Sequence, residues 1–304
     1  MSDIKLFRME NGKAKQLVGS AVAVEKSLQN LIEQHMEEYL GVRFLATEYS
    51  TGKVHGGRID SLGIDENGCP VIIEYKRSLN ENVINQGLFY LDWLMDHKAE
   101  FKLLVMDNFG KESADNIEWS SPRLLCIAGD FTKYDEHAVQ QINRNIELIR
   151  YRRYGDELLL LELVNATTAQ ILPTPIGEEI KSKKLTYKSV EESLRSAPQS
   201  LRDVYEALEA TLLALGDDVQ LKKLKLYYAF KRIKNFVCVE VRPSDEKLVL
   251  YLKVNPDSVE LEEGFIRDVR NVGHWGTGDL QVTISSNEDL EKARHLLIRS
   301  YEES

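Results

Sequence analysis

The segment that most narrows what this chain can fold into is Pro70-Val71-Ile72-Ile73-Glu74-Tyr75-Lys76-Arg77. Three consecutive β-branched apolar residues read as a strand buried on both faces, the kind found in the middle of a helix-covered sheet. Such a strand should not end in Glu-Tyr-Lys-Arg unless those charges have partners. Asp65-Glu66-Asn67-Gly68, just before it, is a turn sequence, so the segment pairs with the run 57–65 as a hairpin. Glu74 and Lys76 are two residues apart and therefore share one face of the strand. Asp60 lies on the partner strand, and the turn folds it back towards Glu74.

Other elements are arranged around this hairpin. Residues 3–18 alternate about Asn11-Gly12 and read as a small hairpin. From Val24 to Leu40 apolar residues recur at helical spacing, with Gly41 as a stop. A first strand is expected at 43–49, then the hairpin 57–65 and 70–77, then a helix over 82–97. A helix at 98–108, a strand at 122–129, a helix at 133–147 and strands at 148–154 and 157–165 follow. The expected fold is α/β, a mixed sheet flanked by helices. Residues 166–188 hold two prolines, a glycine and many polar residues, and read as a linker. Beyond it a helix at 199–215, strands at 219–230, 235–242, 247–254 and 279–285, and a helix at 287–302 predict a smaller C-terminal α+β domain over 189–304.

Composition excludes several classes. A chain of 304 residues that is 43% hydrophobic can build real cores, and its length fits two domains. The longest apolar run, Leu158-Leu-Leu-Leu-Glu-Leu-Val164, is far too short to cross a bilayer. The first residues are charged where a signal peptide needs an apolar run, and the three scattered cysteines show no zinc spacing, so a cytoplasmic protein with no membrane partner is expected. The net charge of −10 weighs against a broad basic nucleic-acid surface, although basic residues need only cluster locally.

Asp60, Glu74 and Lys76 together carry a definite chemistry. Carboxylate oxygens are the ligands Mg²⁺ prefers, with water filling the remaining positions, and Mn²⁺ substitutes for it. A bound divalent ion activates water and steadies charge on a phosphodiester oxygen, and a lysine ammonium adds to that stabilisation. Taken alone, Asp followed by Glu-x-Lys is common, and Glu-x-Lys on a strand is usually a solvated face. The buried character of Val71–Ile73 is what raises the motif above that reading.

With Glu25 on the first helix, Gly57-Arg58-Ile59-Asp60 on one strand, Glu74-Tyr75-Lys76 on the next, and Gln86-x-x-x-Tyr90 on the following helix, residues 24–97 resemble the PD-(D/E)XK nuclease superfamily, NucS-type endonucleases and restriction-endonuclease-like proteins in particular. The family's proline before the acidic residue is absent here. The resemblance implies a restriction-endonuclease-like domain over 1–165, with its core at 20–165. It implies a Mg²⁺-dependent endonuclease that hydrolyses nucleic acid, DNA first, with Asp60 and Glu74 as metal ligands. Lys76, Gln86 and Glu25 join them as catalytic residues, and Arg58, Arg77 and Tyr90 contact nucleic acid. Each supporting residue also has an ordinary reading. Glu25 suits a helix N-terminus, Gln86 is an amide on a helix face, Tyr90 packs in a core, and the two arginines are surface charges. The alternative function is a nucleic-acid-binding or protein-interaction protein that keeps the nuclease fold without cutting. A homodimer is left open.

Two stretches in the second domain, AFKR with NF at 229–236 and GHWGTGDL at 273–280, resemble domain of unknown function 5655. The run 222–236 interleaves basic residues with Tyr227, Tyr228, Phe230 and Phe236. This is either a stacking surface for nucleic acid or an amphipathic strand with its aromatics inside, the second being preferred. This domain is expected to bind nucleic acid or a protein partner.

Overall fold

The computed structural model describes residues 4–20, 25–52, 56–76, 83–167 and 188–304. Two compact units emerge, one of Met1–Ile64 with Cys69–Ala169 and one of Asp65–Gly68 with Gln170–Ser304.

The first unit is built on a six-stranded mixed sheet. Its strands are β3 (Val42–Ser50), β4 (Arg58–Asp65), β5 (Pro70–Lys76), β6 (Arg123–Ala128), β7 (Asn145–Tyr154) and β8 (Leu158–Thr167), and they lie side by side in that order. β4 and β5 are antiparallel, β5, β6 and β7 run parallel, and β8 returns antiparallel. This is the mixed sheet flanked by helices that the sequence predicts. A parallel step needs a crossover, and α3 (Val83–Asp96) with α4 (Lys98–Asp115) supplies the one from β5 to β6. Val71, Ile72 and Ile73 are fully buried, as a central strand requires. Glycine at position 87 lets α3 approach β6 closely, since a methyl there would overlap both δ-carbons of Leu124.

Several elements depart from expectation. The helix read from Val24 to Leu40 is two, α1 (Glu25–Gln34) and α2 (Met36–Leu40), because His35 has a non-helical backbone (φ −130°, ψ 26°). Gly41 ends α2 in the left-handed conformation, as expected of a stop. α4 runs to Asp115 rather than 108, bent at Gly110, whose φ of 82° belongs to glycine. The helix expected over 133–147 ends at Gln140 as α5 (Lys133–Gln140), capped at its start by Thr132 and Asp135. Residues from Asn145 onward pair with β6 instead, a tertiary pairing that overrides local helical spacing. β8 continues through Thr167, two residues into the expected linker, and 168–187 of that linker lie outside the described residues. The N-terminal hairpin is present as β1 (Leu6–Glu10) and β2 (Lys13–Leu17), with Asn11 and Gly12 both at positive φ in the turn.

The second unit carries six antiparallel strands in the order β13-β14-β12-β11-β10-β9. These are β9 (Gln220–Lys223), β10 (Tyr228–Lys231), β11 (Asn235–Arg242), β12 (Lys247–Leu252), β13 (Ile266–Asp268) and β14 (Leu280–Ile284). Helices α6 (Val190–Ser196), α7 (Gln199–Leu213) and α8 (Asn287–Glu303) share a core with one face of that sheet. The single strand read at 219–230 is two strands, because Leu224 and Tyr227 close a tight turn between them. α6 and β13 have no counterpart in the sequence reading. Among the described residues no helix is long and apolar enough to cross a membrane.

One buried ion pair braces the parallel strands. Arg123 on β6 meets Glu147 on β7 through two hydrogen bonds of 2.8 Å, with both side chains at or below 3% exposure. Breaking such a pair leaves an uncompensated buried charge, while replacing both partners with apolar residues is often tolerated. Glu147→Ala should therefore cost about 3–5 kcal/mol in denaturant unfolding. The double replacement Arg123→Met with Glu147→Leu should recover most of it, and equal losses in both proteins would contradict this reading of the pair.

Candidate functional site

The β4–β5 register pairs Ser61 with Ile73 through to Ile64 with Pro70. Beyond that last pair, at Asp60 and Glu74, side chains enter the hydrogen bonding. The Asp60 N–H donates to Glu74 Oε1 at 3.2 Å, and the Tyr75 N–H donates to Asp60 Oδ2 at 3.0 Å. Each carboxylate thus accepts from the other's strand, at the point where the hairpin opens. Glu74 is fully buried, and Asp60 and Lys76 are half-buried. Ile72, Glu74 and Lys76 share one face of β5, and Ile72 belongs to the core formed with α3.

The supporting residues divide into those near this point and those beyond the described structure. Arg58 is exposed and forms an ion pair with Glu48, which also accepts from Lys26 Nζ at 2.9 Å. The Lys26 hydrogen bond, aided by the charges of Lys26 and Arg58, holds the Glu48 carboxyl below its ordinary pKa. Tyr90 on α3 is only 5% exposed. Its hydroxyl accepts from the Arg58 N–H at 3.1 Å and from Gln86 Nε2 at 3.2 Å. Its ring packs where a Gly57 side chain would stand, so glycine at 57 is required by this contact. Tyr90 thereby fixes the start of β4, and Gln86 orients Tyr90. Glu25 is the first residue of α1, but its side chain lies outside the described residues, as does all of Arg77.

Four residues near Asp60 were not singled out from sequence: Gln29, Glu33, Ser61 and Tyr75. Gln29 is 3% exposed and its Nε2 reaches the Asp60 carbonyl at 2.6 Å. The signal existed, since Glu25, Gln29 and Glu33 form an i, i+4, i+8 row beside the apolar Leu28 and Ile32. A row of amide and acid next to core positions is ambiguous until the strand it faces is known.

Two hard carboxylates at one strand opening, one of them fully buried, fit a divalent cation by their donor chemistry. Among the described residues no group of three or more His, Cys, Asp or Glu side chains is arranged to hold a metal ion. The Glu25 side chain, expected beside this pair, lies outside the described residues. Cys126 stands opposite Glu74 in the β5–β6 register and is a rival reactive group by position. It is fully buried, and that burial, with Glu74 and Asp135 nearby, pushes its thiol far above the ordinary range. A thiol that stays protonated is neither nucleophile nor ligand.

In the second unit, among the described residues, no group of three or more His, Cys, Asp or Glu side chains is arranged to hold a metal ion, and there a different observation decides. Residues 190–304 match the model of a domain of unknown function (DUF5655). The expected resemblance of this part of the chain is therefore real, and the family's description assigns no activity. Within the DUF5655-like domain the aromatics of the basic stretch are internal, Tyr227 and Tyr228 being 7% and 3% exposed and Phe230 and Phe236 fully buried. They build core and present no stacking surface. Over the whole chain, an uncharacterized protein of Haemophilus influenzae is 26% identical, covering 97% of this chain and 98% of its own. A crystal structure of a repair endonuclease from Pyrococcus abyssi is 18% identical over 44% of this chain, with a TM-score of 0.29. That likeness spans about half of the other chain.

Burial also raises the Cys238 thiol to about 12, and all three cysteines are buried. At pH 8 a thiol near pKa 12 is ionised on the order of once in ten thousand molecules. Native protein exposed briefly to a thiol-specific reagent at pH 8 should stay unmodified by mass spectrometry, and denatured protein should take up three groups. Rapid native labelling of Cys126 would contradict its burial as a protonated thiol.

Proposed function

We propose that this protein is a divalent-metal-dependent nuclease that hydrolyses phosphodiester bonds of nucleic acid, DNA being the favoured substrate and Mg²⁺ the favoured ion, with Mn²⁺ able to replace it. The observation that carries the proposal is the interlocking of Asp60 and Glu74 through each other's strands, with Lys76 on the face of Glu74. A fully buried glutamate at the end of a central strand is costly to keep without a function or a strong partner. Its placement at a strand opening, beside a second carboxylate, suits cation binding better than core packing.

In this reading Asp60 and Glu74 hold the ion. When bound, the ion would supply Lewis-acid stabilisation of a phosphate oxygen and a more acidic water. Lys76 would set its ammonium against the negative charge that gathers on the phosphodiester as water attacks. Arg58, exposed at the start of β4, would contact the substrate backbone and contribute orientation more than sequence preference.

Two single variants separate the roles. Glu74→Ala should lose Mn²⁺ affinity in calorimetric titration together with cleavage. Lys76→Ala should keep Mn²⁺ affinity and nucleic-acid binding, yet lose on the order of a hundredfold or more in cleavage rate. Parallel assays on single- and double-stranded DNA and RNA would identify the substrate. Cleavage by Lys76→Ala at the parent rate would remove the lysine from the mechanism. Parent protein that binds nucleic acid but cuts none of these with Mg²⁺ or Mn²⁺ would favour the non-cleaving alternative.

A further inference from the structure

We infer that Gln29 and Glu33, both on α1, are positioning residues that set Asp60 in its cation-binding orientation, an inference that rests on the nuclease reading above. Asp60 is held at three points. Its N–H donates to Glu74, its carboxylate accepts from the Tyr75 N–H, and its carbonyl accepts from Gln29 Nε2. Two of these contacts come from the adjacent strand and follow from the hairpin. The third comes from a separate helix and has no origin in the sheet itself.

Gln29 is placed to do this with little freedom. Its Nε2 is surrounded by acceptors, the Asp60 carbonyl at 2.6 Å, Glu33 Oε1 at 2.9 Å and Thr47 Oγ1 at 3.1 Å. Its Oε1 accepts from Lys26 Nζ at 3.1 Å. Donors on one side and acceptors on the other fix which end of the amide is which. Glu33 Oε1 accepts a second hydrogen bond, from Ser61 Oγ at 2.6 Å. Ser61 Oγ also lies 3.2 Å from the Tyr75 hydroxyl. Tyr75 is fully buried. Its own N–H is the donor to the Asp60 carboxylate. The contacts therefore close a ring, Asp60–Gln29–Glu33–Ser61–Tyr75–Asp60, that passes from strand to helix and back.

Such a ring matters because Asp60 sits where backbone pairing gives way to side chains. A carboxylate on a freely moving strand end pays an ordering cost each time it captures an ion. Anchoring the carbonyl from α1 moves that cost into folding. Outer contacts of this type are worth on the order of tenfold to a hundredfold in metal affinity or activity.

The test uses full-length protein. Gln29→Met keeps the length of the side chain and removes its donor, and Ser61→Ala opens the ring at another point. Both should weaken Mn²⁺ binding by on the order of tenfold to a hundredfold in calorimetry. In metal-free protein both should speed hydrogen exchange of the Asp60 and Tyr75 amides. Leu28→Ala, a fully buried core position on the same helix, controls for simple destabilisation. Assayed well below its melting temperature, it should bind Mn²⁺ like the parent. If Gln29→Met and Ser61→Ala bind Mn²⁺ like the parent, or lose no more than Leu28→Ala does, the positioning role is overturned while the nuclease reading stands. If the parent itself binds no Mn²⁺, the underlying reading fails first.

Discussion

The first unit turns on the exchange of hydrogen bonds between Asp60 and Glu74. An antiparallel hairpin can continue its backbone ladder to the end of both strands. This one does not, and the two carboxylates accept the N–H groups of Asp60 and Tyr75. That exchange places two carboxyl groups together at a strand end, one of them fully removed from water. Two neighbouring carboxylates, when both are ionised, repel unless something positive stands between or beside them. The surroundings are compatible with that demand, since Lys76 shares the face of Glu74. The rest of the unit serves to hold the opening. α3 secures the start of β4 through Tyr90, α1 secures Asp60 through Gln29, and β6 pairs with the other edge of β5.

Much of this arrangement was legible in the sequence because it rests on short-range rules. The turn at 65–68 and the apolar run 71–73 require a hairpin with a buried second strand, and period-two geometry then puts Glu74 and Lys76 on one face. The Asn11-Gly12 turn and the Gly41 stop are equally local. What escaped was set by distant pairing. Residues 141–147 carry helix-like spacing, yet β7 begins at Asn145 because β6 is there to receive it. The same holds at the site. Glu25 drew notice on α1 by resemblance, while Gln29 and Glu33, one and two turns later, are the residues whose contacts with Asp60 and Ser61 are seen. Nothing in the sequence of α1 says which strand its polar row will meet.

The DUF5655-like domain teaches the converse lesson. Its basic, aromatic stretch looks like a nucleic-acid surface when written out. In the fold its rings line the interior of an antiparallel sheet, and only the periodicity of the strand distinguishes the two cases beforehand. Any contribution of this domain to substrate must come from other residues.

The central claim is that Asp60 and Glu74 together hold a divalent cation. Crystals grown with Mn²⁺ and measured at the manganese absorption edge address it directly. The account predicts one anomalous peak within ligand distance, about 2.0–2.3 Å, of oxygens from both carboxylates. A peak elsewhere in the molecule, or none at a saturating Mn²⁺ concentration, would contradict it.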